Sequence, residues 1–150
     1  MTFWIKELKI KKVLLASVIF TVISFVIHQI EAMLTMKYYL MPQYFGVWSK
    51  VMMPSNGPPP ASFMITSLIF TFVTGVSITF IYYYLKDHLP VEKRKRIFYF
   101  ADLMLGTYFV FFTLPTYLMF NVPNALLFIW FFTSFIILTL GSLVLVKIIK

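Results

Sequence analysis

Cysteine is absent from this chain of 150 residues. Its absence removes thiol nucleophiles, disulfides, iron–sulfur clusters and cysteine-based zinc sites. Histidine is scarce, with 2 residues, His28 and His88. The hydrophobic pattern assigns them to opposite ends of the fold, which excludes a bis-histidine haem within one chain. Charge is scarce as well, at 12% of residues against 61% hydrophobic and 20% aromatic. A water-soluble domain of this length needs far more polar surface. No G-x-S-x-G, H-E-x-x-H or P-loop pattern occurs, so no hydrolase, metalloprotease or phosphate-binding signature is present.

What is there instead is a set of four long apolar stretches. Residues 13–36 carry Glu31 as their one charge, 97–120 carry Asp102, and 61–85 and 125–146 carry none. About 20 apolar residues cross a bilayer as a helix. None of the stretches alternates as a barrel strand does. The chain reads as all-α: one integral membrane bundle of four transmembrane helices, a single domain over residues 1–150.

The net charge of +8 resolves into clusters. Lys6, Lys9, Lys11 and Lys12 precede the first span. Lys86, Lys93, Arg94, Lys95 and Arg96 separate the second from the third, and Lys147 and Lys150 end the chain. With four spans these fall on one side, leaving Lys37 and Lys50 for the other. Such asymmetry predicts a multi-pass protein of the cell membrane with both termini in the cytoplasm. Anionic headgroups account for the basic balance, with the lipid bilayer as partner and no nucleic acid. Residues 2–12 mix Phe3, Trp4, Ile5 and Leu8 with lysines and read as an interfacial start. The first span is too long for a cleaved signal peptide and lacks a small-x-small site, so it reads as an anchor.

The first span carries a polar stripe. Ser17, Thr21, Ser24, His28, Glu31, Thr35 and Tyr38 recur at alternating spacings of 4 and 3, which puts them on one face of a helix. Ionisable groups at membrane depth are costly and often functional. His28 and Glu31 lie ~22–27 Å from the inner edge at 1.5 Å per residue. His28, Glu31, Thr35, Ser24 and Tyr38 are therefore the candidate ligand or proton site. The competing reading is a polar cluster at the outer rim, bonded to neighbouring helices or to Lys37. On the second span Ser67, Thr71, Gly75 and Thr79 repeat every four residues and predict close helix packing. Ser134 and Gly141 make a weaker seam on the fourth. Because these seams do not all fit inward, a homo-oligomer or a larger membrane complex is expected.

Between the first two spans, Pro42 and Pro54 bracket a segment in which Tyr44, Val47, Trp48, Val51 and Met52 share a face. The pattern predicts a short interfacial helix in the outer loop, followed by the stiff run from Gly57 to Pro60. Pro115 predicts a bend in the third span. Asn56, Pro58, Ala61, Thr66, Ser67 and Gly75 find loose counterparts in Asn121, Pro123, Ala125, Thr133, Ser134 and Gly141, a hint of duplication. Of the 9 methionines all but Met1 and Met104 map to the outer half. Thioethers suit Cu(I) but also fill gaps in apolar packing, and the latter is favoured, with no metal and no cofactor expected. Asp102 is expected to pair with Arg94, Lys95 or a tyrosine at the cytoplasmic boundary.

No residue set rises to a catalytic site. The leading expectation is a non-enzymatic small membrane protein that binds a partner protein or a lipid as an accessory component. The alternative is a small transporter or channel using Glu31 and His28 on the polar face of the first helix. A lipid-directed enzyme would have to draw its acid and base from Glu31, His28 or Asp102.

Overall fold

The computed structural model describes residues 9–55 and 57–149. Most of the interfacial start expected at 2–12, together with Asn56 and Lys150, lies outside the described residues. Among those described there are no strands and four long helices: α1 (Ile10–Tyr39), α2 (Ala61–Leu85), α3 (Lys93–Met119) and α4 (Asn124–Ile148). Each is long and apolar enough to cross a membrane. Large apolar side chains such as Val22, Ile69, Phe111 and Phe128 stand exposed along all four, a surface that calls for lipid rather than water. With its 30 residues, α1 is about 45 Å long and outreaches a hydrocarbon core of about 30 Å.

Proline and hydroxyl chemistry shape these helices. Pro60 and Pro123 stand in extended backbone immediately before α2 and α4. Their carbonyls accept the first amides, Phe63 N at 3.0 Å and Leu127 N at 3.1 Å. Pro115 lies just past a π turn, Phe109–Thr113, in which the Leu114 amide reaches back to the Phe109 carbonyl. One wide turn makes room for a residue with no N–H to give, so α3 continues past its proline. The first turn of α3 is basic, from Lys93 to Arg96, which opposes the helix dipole; Lys95 is paired with Glu92 at 2.9 Å. Asp102 is exposed.

The helices pack in a row: α2 against α1, α1 against α4, and α4 against α3. At the end of the bundle that holds the described termini the row closes on itself. There Tyr82 of α2 meets the edge of Phe100 of α3 at 5.1 Å. Phe20 of α1 is the wedge of this half. A Cβ built on Gly75 of α2 would meet the Phe20 ring at 3.1 Å, and one on Gly141 of α4 would meet it at 2.7 Å. Both small residues therefore face inward, onto the same ring.

The loop between α1 and α2 departs from expectation. A 3-10 helix, Pro42–Val47, is followed by Trp48 in extended backbone and then by turns. The face proposed from Tyr44 to Met52 is not carried by one helix: the 3-10 turn ends at Val47, and Trp48, Val51 and Met52 lie beyond it. The cause is a competing bond. The last carbonyls of a helix lack intrahelical partners, and the Trp48 indole N–H donates to the Tyr39 carbonyl at 3.1 Å. Reaching it turns Trp48 off the helical path.

Candidate functional site

The polar stripe on α1 divides into two kinds of residue. Ser17 and Thr21 donate to carbonyls four residues earlier, both at 2.8 Å. The same internal bond satisfies Thr71, Thr79 and Ser142 on the other helices. A hydroxyl satisfied by its own helix makes no demand on its surroundings, so a Ser/Thr stripe by itself does not mark a site. Ser24 differs. It is buried, and its hydroxyl has no partner among the described residues.

Further along α1, Glu31 and Thr35 are buried together. The Thr35 hydroxyl lies 2.7 Å from both the Glu31 carbonyl and Glu31 Oε1. Tyr39 donates to the same Oε1 at 3.5 Å, and Tyr39 Oη accepts the indole N–H of Trp130 from α4 at 3.0 Å. The result is a relay from Trp130 through Tyr39 to Glu31, tied to the loop through Trp48. The rings reinforce it, with centroids 4.9 Å apart for Tyr39 and Trp48, and 6.3 Å apart for Trp48 and Trp130. His28 Nδ1 stands 3.9 Å from Glu31 Oε2, too far for a hydrogen bond, and its side chain is 53% exposed.

Beside this relay the row of helices opens. A cavity of 710 Å³ lies at the loop end, with Glu31 and His28 in its wall. Phe63, Phe70, Tyr108 and Phe112 give it aromatic sides, and Met36, Met52, Met53 and Met64 also line it. Among the described lining residues Glu31 is the one carboxylate, and there is no lysine or arginine. A second chamber of 460 Å³ shares His28, Thr71, Tyr108 and Ser134 with the first and has Ser24 and Phe20 in its wall.

The expected site residues are thus only partly brought together. Glu31 and His28 line the cavity, Thr35 anchors Glu31 from behind, and Ser24 lines the inner chamber. Tyr38 stands apart, with the Lys37 ammonium 5.0 Å above its ring. Its neighbour Tyr39 takes the role expected of it, because a long side chain on a helix leans back toward the N-terminus and reaches Glu31 two turns earlier. Lys37 is accordingly not the partner of Glu31. The α2 seam also divides. Gly75 and Thr79 are buried in the packed half, whereas Ser67 and Thr71 line the cavity.

Trp48 and Trp130 were not visible as site residues from spacing. The available signal was chemical: an indole N–H in an apolar segment must find an acceptor. The methionines do not converge as a set, since Met33 and Met119 are exposed outside the cavity. Among the described residues no group of three His, Cys, Asp or Glu side chains is placed to hold a metal ion. Comparison with family models, with curated proteins and with solved structures finds no match to this chain.

Proposed function

We propose that this is a non-enzymatic binding protein of the cell membrane, whose loop-end cavity takes up a lipid-like molecule. The carrying observation is the cavity itself. Its 710 Å³ fall within the range of about 300–1,000 Å³ usual for small-molecule sites. Its lining is mostly aromatic, thioether and aliphatic, with Glu31 as the one carboxylate among the described lining residues, a composition suited to a molecule with an apolar body and a polar end. By the distribution of basic residues, the termini end faces the cytoplasm and the cavity opens toward the outer leaflet. Native mass spectrometry of the chain, extracted in mild detergent from its own host, tests the reading. A small lipid-like mass retained by the wild type and lost in Ser134→Phe, which fills the space shared by both chambers, is the expected result. A stoichiometric larger protein in place of any small ligand would favour an accessory subunit instead.

A second reading, transport, is favoured by one specific observation. A second chamber adjoins the cavity along α1, with His28 in both walls and Ser24 and Phe20 in its own, which extends the lined space along the polar stripe. In this reading Glu31 couples and His28 tunes it. Solute flux in liposomes that is unchanged in Glu31→Gln ends it.

A further inference from the structure

We infer that the ligand of the loop-end cavity is an ammonium-bearing amphiphile, an organic cation on a hydrocarbon body, with Glu31 as its counter-charge. This deepens the binding role proposed above and rests on it. Glu31 is buried, and a carboxylate removed from water calls for a positive partner or for saturation by hydrogen bonds. Its Oε1 has Thr35 at 2.7 Å and Tyr39 at 3.5 Å. Its Oε2 has no hydrogen bond among the described residues, and the nearest basic group is His28 Nδ1 at 3.9 Å. No lysine or arginine of the described wall supplies the missing charge.

Aromatic rings share this wall of the cavity with Glu31. Tyr39, Trp48 and Trp130 form one cluster, with centroids 4.9–6.4 Å apart. Phe112 joins it at 6.1 Å from Trp130, with Tyr108 stacked on Phe112 at 4.8 Å. Ring faces attract alkylated ammonium groups, tryptophan most strongly. They offer such a head attraction without the hydrogen bonds that a primary phosphate or carboxylate head would need. An anionic head would instead meet both the Glu31 charge and the negative ring faces. The flexible thioethers of Met52, Met53 and Met64 suit a chain of variable shape.

Tryptophan fluorescence reads the test directly, because Trp48 and Trp130 line the cavity. The full chain in uncharged maltoside micelles is titrated with nitroxide-labelled alkyl probes that differ only in their heads: trimethylammonium, phosphocholine, methyl ester and carboxylate. The trimethylammonium probe is expected to quench with an apparent Kd about tenfold below that of the ester, between the sizes of an exposed and a desolvated cation–π contact. Glu31→Gln is expected to shrink that difference to the part that the rings supply, and an undiminished difference overturns Glu31 as the counter-charge. A phosphocholine probe that follows the trimethylammonium probe identifies a lipid headgroup as the source; one that follows the ester identifies a free amphiphilic amine. Equal binding of trimethylammonium and ester probes by the wild type, or a preference for the carboxylate, overturns the ligand class while leaving the cavity as a binding site. Quenching that is unchanged in a Trp48→Phe, Trp130→Phe double variant overturns both, because the probes then do not enter the cavity. The comparison of heads on the wild type decides the matter even if Glu31→Gln does not fold.

Discussion

The two halves of this bundle use the same residue types for opposite ends. In the termini half, Gly75 and Gly141 close on Phe20, and Tyr82 meets Phe100. In the loop half, Ser67, Thr71 and Ser134, on the same two helices, line the cavity. Small residues thus bring helices together where a large ring fills the gap between them. Where no ring does, they leave a chamber. Lipid supplies no hydrophobic pressure to collapse such a chamber, because its tails are as apolar as the side chains. Packing in the closed half has to hold the helices, and the aromatic relay keeps the open half in shape.

This contrast is open to direct attack. The largest effect is expected from Phe20→Ala, which empties the closed half. Loss of a buried phenylalanine ring costs about 3–5 kcal/mol, read as a fall in thermal midpoint in detergent. Phe112→Ala, on the cavity wall, is expected to fall far less, and equal losses would erase the distinction between the halves. Next is Gly75→Leu, since even a Cβ there would sit 3.2 Å from the Ser17 carbonyl oxygen. Backbone does not yield cheaply, so overpacking is expected to cost about 1–3 kcal/mol and to loosen α1 from α2, measured as faster proteolysis of the α1–α2 loop. Trp130→Phe keeps the ring and removes its hydrogen bond to Tyr39. About 1 kcal/mol of stability and a red-shifted emission from the remaining loop tryptophan are the expected readouts. The smallest effect belongs to Ser67→Leu, on the same α2 seam as Gly75. It is expected to stay within about 0.5 kcal/mol of wild type while reducing ligand retention in native mass spectra. A large destabilisation there would mean that the loop half is packed after all.

Glu31 and His28 were legible because a lone carboxylate and a lone imidazole inside an apolar helix stand out from any background. Thr35 was legible by its spacing from them. Tyr38 illustrates where periodicity runs out. It lies closer to the face of Glu31 than Tyr39 does by angle along α1, but contact depends on side-chain reach and lean as well as on angle. The outer loop shows the same limit: Tyr44, Val47, Trp48, Val51 and Met52 have helical spacing, but Trp48 leaves the helical path to donate to the Tyr39 carbonyl. Pro115 announced a disturbance in α3, and its form, a π turn ahead of the proline, is one of several ways a helix can accommodate the missing N–H.

The number and chain order of the apolar helices followed from the sequence alone, because crossing a membrane is a matter of length and apolarity, and both are local. The order of the row, α2 beside α1 and α1 beside α4, was decided by tertiary structure. So was the division of one small-residue seam between a packed face and a cavity wall. Spacing along a helix states which residues share a face, and it is silent on what the face meets. Here that depended on a single ring, Phe20, lying between Gly75 and Gly141, and on two indoles, Trp48 and Trp130, finding their acceptors on Tyr39.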